Sequence, residues 1–150
     1  MGMALEEARF AGEEGEVPVG AVIVHPDRGI VARARNQKES LNDPTAHAEV
    51  LAIGQAAEAL GDWRLQGATL YSTLEPCPMC AGAILQARVS RVIYGATDPK
   101  GGAVESVVEL FRPGLFNHNV EWLSGVLEDE CGEVLRRFFG KRRRPGDPNP

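Results

Sequence analysis

The sequence has little cysteine, little histidine and few aromatics: three cysteines, three histidines, and Phe, Trp and Tyr together at 6% of 150 residues. It also lacks any apolar run close to the roughly 20 residues that a membrane-spanning helix needs. The opening Met1-Gly2-Met3-Ala4-Leu5-Glu6-Glu7 has neither a basic start nor an apolar stretch, so no signal peptide is expected. Glu6 stands where the myristoylation motif needs Ser or Thr. An odd cysteine count, with two of the three as Cys77-Pro78-Met79-Cys80, excludes a fully paired disulfide framework and suits a reducing compartment. Together these absences lead to the expectation of a cytoplasmic protein without a membrane partner. Positive charge is short overall, with 16 Lys and Arg against 21 Asp and Glu for a net charge of −5. That argues against a general nucleic-acid binder, because phosphate contacts need cations. The shortage is uneven, since Arg136, Arg137, Lys141, Arg142, Arg143 and Arg144 gather near the C-terminus and give an acidic chain one basic edge.

What is present fits one domain over residues 1–150, because a chain of this length that is 43% hydrophobic has enough material for one core. Residues 3–14 read as a helix stopped at Gly15. Val17 to Val24 and Ile30 to Asn36 read as an antiparallel hairpin around His25-Pro26-Asp27-Arg28-Gly29, with a polar loop over 37–44 after it. Ala46 to Leu60 carries Val50, Ile53, Ala57 and Leu60 at helical spacing and ends at Gly61. Ala68–Leu74 and Val89–Gly95 read as strands around a helix over 78–88 that tolerates Pro78 in its first turn. Residues 104–111 suggest a short helix and 119–123 an edge strand. Val126 to Phe139 places Leu127, Cys131, Val134, Leu135 and Phe138 on one stripe of a final helix. Residues from about 141 to 150 read as a basic, disordered tail. Strands alternating with helices imply an α/β fold in three layers, α/β/α, around a mixed, mostly parallel five-stranded sheet.

The chemistry concentrates in two short stretches. Pro44-Thr45-Ala46-His47-Ala48-Glu49-Val50 starts one helix, and Cys77 and Cys80 start another. Helix N-termini favour the thiolate form that binds a metal. One His and two Cys make three ligands for a tetrahedral Zn²⁺, and a zinc with three protein ligands commonly keeps its fourth position for water. If the metal lies off the end of the first helix instead of beside it, His47 reaches the ion while Glu49 stands next to the water as its base. Two plainer readings stay open here. The Cys pair suits a redox motif, and a structural zinc needs a fourth ligand, for which Cys131, His25 and His118 are candidates.

His47-Ala48-Glu49 with Pro76-Cys77-Pro78-Met79-Cys80 matches the known H-x-E…P-C-x-x-C signature of the zinc-dependent nucleobase deaminases, a family the chain therefore resembles. Within it, the chain most resembles the bacterial tRNA-specific adenosine deaminases. The matching pieces run from Glu16–Val24 through Asn36, Asp43–Glu49, Thr69–Cys77, Met79–Ala83, Gly95–Asp98 and Asn117-His118 to the helix with Glu130-Cys131 and Phe138-Phe139, nearly the whole chain. The resemblance implies a cytidine deaminase-like fold, a homodimer, one Zn²⁺ per subunit on His47, Cys77 and Cys80, and hydrolysis of the wobble adenosine of a tRNA anticodon stem-loop to inosine. It implies that Glu49 takes the proton of the zinc-bound water and delivers it to N1 of adenine during attack at C6. It further implies that Asn36 and the backbone of Ala48 hold the flipped base, that Leu74, Phe138 and Phe139 border loop nucleotides, and that Asp98 lies near ribose 2′-hydroxyls. A free-base or nucleoside deaminase acting on guanine or cytosine is the alternative, since one zinc site serves all these reactions. The chain departs from the family pattern at Glu105, where many relatives have Gly, at Thr97, where many are basic, and over 111–116.

Overall fold

The computed structural model describes residues 1–143 and Gly146. Its elements run α1 (Gly2–Glu13), β1 (Gly20–His25), β2 (Gly29–Arg35), α2 (Lys38–Leu41), α3 (Ala48–Leu60), β3 (Thr69–Leu74), α4 (Pro78–Gln86), β4 (Arg91–Ala96), β5 (Glu121–Leu123) and α5 (Glu128–Arg142). The strands form one mixed sheet in the order β2-β1-β3-β4-β5. The expectation of mostly parallel pairing needs adjusting: β1 pairs antiparallel with both β2 and β3, while β3–β4 and β4–β5 are parallel. The hairpin and the α3 crossover account for this: the three-residue turn Pro26-Asp27-Arg28 closed at Gly29 (φ +73°) returns β2 antiparallel to β1, and α3 carries the chain over to β3, which runs parallel to β2 and so antiparallel to β1.

Small residues set the distance between layers. One face of the hairpin presents Ala21, Ile23, Ala32 and Ala34 to a stripe of Ala48, Ala52 and Ala56 on α3, all buried in the main core. Spacing of four residues puts these three alanines on one helical face, and methyl-sized side chains let α3 lie close to the sheet. On the other face α1 approaches β1 so nearly that a Cβ at Gly20 would overlap the Ala4 carbonyl oxygen. Here β2 points Arg33 and Arg35 at α1, where they pair with Glu6, Glu7 and Glu14. A Cβ at Gly95 would likewise strike Cys131, so α5 rests on β4. Cys131 is therefore packing, buried in a small cluster with Leu5 and Ala96.

Three local expectations change. Residues 104–111 form turns and no helix, because the Val107 and Leu110 N–H groups bond back to the Gly102 and Ala103 carbonyls instead of to the carbonyls four residues before them, as a helical ladder needs. The 37–44 loop contains the short α2, whose Glu39 and Ser40 N–H groups donate to the buried Glu16 carboxylate. The last helix begins at Glu128 and continues to Arg142, so Lys141 and Arg142 are helical and not tail. Arg144, Pro145 and residues 147–150 of the expected tail lie outside the described residues. No helix among the described residues is long and apolar enough to cross a membrane.

Candidate active site

Two helices begin beside each other at the carboxyl end of β3, the edge where open α/β sheets place their ligands. His47 is the residue before α3 and has extended backbone (φ −76°, ψ 150°). Cys77 has the same role before α4 (φ −74°, ψ 172°), with Pro78 as its first helical residue and Cys80 in its first turn. Pro78 fits because the first turn has N–H groups without helical partners. This arrangement explains how His47 and Glu49 work together although two residues apart: His47 lies outside the helix and turns across its end, while Glu49 points inward from the first turn.

The imidazole Nδ1 of His47 lies 3.6 Å from Cys77 Sγ and 3.5 Å from Cys80 Sγ. A tetrahedral zinc with Zn–S near 2.3 Å and Zn–N near 2.0–2.1 Å requires N···S separations of about 3.6 Å. The three donor atoms all lie within 4.8 Å of one another. Neither His25, whose Nδ1 faces the Asp27 N–H, nor His118, whose Nε2 meets the Val89 carbonyl, nor Cys131 approaches them. Among the described residues the cluster thus has three donors and no fourth, which leaves a coordination position open.

Hydrogen bonding in the cluster prepares these groups for a cation. The Cys80 thiol, donating to Cys77, and then the ring of His47 hold the Cys77 thiol far below its usual range, at about 4. Cys80 is pushed up, first by that same bond to the Cys77 thiolate and then by burial. His47 is raised by its hydrogen bond to Cys77. A metal replaces the protons that Cys80 and His47 would otherwise keep. Glu49, only 4% exposed, has its pKa raised chiefly by burial. Its Oε2 lies 3.5 Å from Cys80 Sγ, and its Oε1 lies 3.2 Å from the Ser72 hydroxyl. A buried carboxyl of raised pKa beside a metal position has the property a proton shuttle needs.

The site opens into a cavity of about 160 Å³ that includes Val17, Asn36, Glu49, Leu74 and Asp98. This is below the ~300–1,000 Å³ of drug-sized sites and suits one ring system. Asn36 is fixed on both sides: its amide donates to the Val17 carbonyl at 3.1 Å, and its Oδ1 accepts the Ala48 N–H at 2.8 Å. Ala48 thus orients the asparagine, and its N–H is not free for a base. Phe138 and Phe139 are not in this cavity. Phe138 lines a separate groove between α1 and α5, and the half-exposed Phe139 packs edge-on against it with centroids 5.4 Å apart.

The sequence profile of the MafB19-like deaminases matches residues 1–143. The tRNA-specific adenosine deaminase of Bacillus subtilis is 53% identical over 94% of this chain and 87% of its own. That of Agrobacterium fabrum is 54% identical over 95% of this chain and 93% of its own. The chain belongs to the tRNA-specific adenosine deaminase family. A solved structure from a study of A-to-I editing by tRNA:A34 deaminases superposes on this deaminase with a TM-score of 0.86 and 55% identity, covering 90% of this chain and 97% of that one.

Several residues that position the deaminase site have roles that local sequence pattern does not show. Glu75, 1% exposed, accepts the N–H groups of Asp98, Val104, Glu105 and Ser106 and the Ser106 hydroxyl, so it ties the 98–106 segment to the strand leading into Cys77. Burial alone would raise its pKa, but these donors outweigh burial and hold it below the usual carboxylate range. Its only trace in the sequence is an acid at the end of an apolar strand. Ser72 orients Glu49 and was hidden inside a strand pattern. The atypical Glu105 is exposed, and its carboxylate accepts the hydroxyl of the buried Tyr94 at 2.7 Å. Thr97 faces a different hollow, with Glu128 and Arg136. In the 111–116 segment, Phe111 is buried while Leu115 and Phe116 are exposed.

Proposed function

We propose that this chain hydrolyses the wobble adenosine, position 34, of a tRNA anticodon loop to inosine, with one zinc per subunit on His47, Cys77 and Cys80. The observation that carries this reading is the three-donor cluster at tetrahedral spacing with a buried acid beside it, opening into a space for one base. Zinc, when bound, supplies a water acidic enough to act as a nucleophile near neutral pH. In the reaction a C6–O bond forms, the C6–N6 bond breaks, and water plus adenosine gives inosine plus ammonia. Glu49 moves the protons: it accepts one from the attacking water and gives it to N1 of the ring, then takes the remaining proton from the new C6 hydroxyl and delivers it to the departing amine. Its burial favours the neutral carboxylic acid that these transfers require midway. The Ser72 hydroxyl donates to Leu74 O at 2.8 Å and leaves its oxygen lone pairs toward Glu49 Oε1, 3.2 Å away, which fixes the direction of the neutral acid.

Asn36 has an amide N–H left after its bond to Val17, and in this reading that donor binds the flipped base. Asp98 and Leu74 line the same cavity and are assigned to the ribose and the base edge. Phe138 and Phe139, on the neighbouring helix, are assigned to flanking nucleotides of the loop. We take the active unit to be a homodimer, which the exposed apolar side chains of Val107, Val108, Leu115 and Phe116 support. The compartment is the cytoplasm, where Cys77 and Cys80 stay reduced and free for a metal. The test is nucleoside analysis after incubation with an anticodon stem-loop carrying adenosine at the wobble position. Inosine is expected there, with free adenine, guanine and cytidine unchanged. Ammonia from guanine beside an untouched stem-loop would replace this reading with the free-base alternative.

A further inference from the structure

The cavity accepts one base, yet a base in RNA arrives attached to phosphates. Lys38 is the only lysine or arginine among the described side chains lining that cavity. It also lines an adjoining hollow of about 40 Å³ whose wall includes Gly15, Glu16, Glu39 and Arg142, so a second cation, Arg142, stands beyond Lys38 toward the end of α5 while the carboxylate of Glu16 is occupied by the α2 N–H groups. Arg142 is fixed there: its Nη2 donates to the Gly15 carbonyl at 2.7 Å, and its guanidinium stands 4.3 Å from the Phe138 ring centroid.

Lys38 itself is exposed and makes no ion pair among the described residues. Its backbone, in contrast, is firmly held. It begins α2, where the N–H groups of Glu39 and Ser40 donate to Glu16 at 3.1 and 2.8 Å, and its carbonyl accepts the Asp43 N–H at 3.1 Å. Glu16 is 2% exposed, and a buried carboxylate is costly unless its hydrogen bonds are needed. Yet α2 buries none of its own residues, so packing does not explain why the fold anchors it this way. An anchored backbone with a free ammonium at a cavity mouth is a means of presenting charge to a ligand.

We propose that Lys38 binds a phosphate of the single-stranded loop next to the flipped base, with Arg142 as a second cation along the same strand. This rests on the RNA-editing reading and adds to it the contact that makes a polymer preferable to a free base. A phosphodiester is the ligand class; a neutral nucleobase has nothing for Lys38 to bind.

The test compares the full-length zinc-loaded chain with Lys38→Gln and Lys38→Arg, using an anticodon stem-loop and a range of KCl. Both kcat/KM and binding by fluorescence anisotropy are recorded. Loss of one phosphate contact lowers the slope of log affinity against log salt by about 0.7–0.9. Lys38→Gln is expected to show that decrease and a several-fold loss at low salt that falls on KM, and Lys38→Arg to restore the slope. An uncharged methylphosphonate at one linkage flanking the adenosine should weaken the wild type and leave Lys38→Gln unaffected. Equal salt slopes in wild type and Lys38→Gln, or an equal methylphosphonate penalty in both, overturn the assignment. A wild type that binds the stem-loop but does not deaminate it refutes the functional reading instead, and the anisotropy slopes then still decide the role of Lys38.

Discussion

Replacing Glu75 by Gln removes a charge that five donors share. The carboxylate accepts Asp98 N–H at 3.0 Å through Oε1, and Val104, Glu105 and Ser106 N–H at 3.1, 3.0 and 3.0 Å through Oε2, with the Ser106 hydroxyl on Oε1. Glutamine can offer its oxygen to the three grouped amides, but its NH₂ then faces the Asp98 N–H, which loses its partner. The other three bonds also lose their ionic character. Hydrogen bonds to charged groups contribute about 1.5–3 kcal/mol each, against 0.5–1.5 for neutral ones, so a net loss of about 3 kcal/mol is expected. In a chain of this size that corresponds to a fall in Tm of roughly 6–12 °C. The measurement is urea unfolding of both proteins stripped of metal, repeated as pH is lowered. Because the folded pKa of Glu75 is depressed, its contribution is complete above the unfolded value, about 4.3, and disappears as pH falls through the folded one. The gap between wild type and variant should therefore be largest near neutrality and close on acidification below about pH 4. A gap under about 1 kcal/mol at pH 7, or one that widens in acid, refutes the account of the 98–106 segment.

Glu49→Gln should retain the metal, because Glu49 is outside the three-donor set, but should lose at least ~10²–10⁴-fold in kcat with the side chain no longer able to accept a proton. Metal analysis beside turnover checks this, and loss of metal together with activity would mean Glu49 is a ligand. Gly20→Ala introduces a methyl against the Ala4 carbonyl and should destabilise by about 3 kcal/mol or prevent folding. Calorimetry reads it, and an unchanged Tm would show that α1 does not rest on that backbone.

The layers and the chemical centre were legible because they depend on local signals. Gly61 and Pro78 mark helix ends, the hairpin shows in its alternation, and His47, Cys77 and Cys80 have few other uses in such a pattern. What was not legible depends on contacts between distant segments. Nothing local in 104–111 shows that Val107 and Leu110 turn back to the Gly102 and Ala103 carbonyls beneath the segment Glu75 holds, so apolar spacing there suggested a helix that the structure does not form. The same holds for α2, which exists because Glu16, more than twenty residues earlier, satisfies its free N–H groups. Phe138 and Phe139 lie outside the base cavity, so their assignment to flanking nucleotides rests on family likeness and on no contact with that cavity. The structure points Phe138 into the groove beside α1.

X-ray absorption on the purified, zinc-replete chain addresses the donor set most directly. The account predicts one zinc per chain with two sulfurs at about 2.3 Å, one imidazole nitrogen at about 2.0–2.1 Å and a fourth position not filled by any side chain. A spectrum with four protein ligands, or a chain that binds no zinc once Cys77 and Cys80 are reduced, would contradict it.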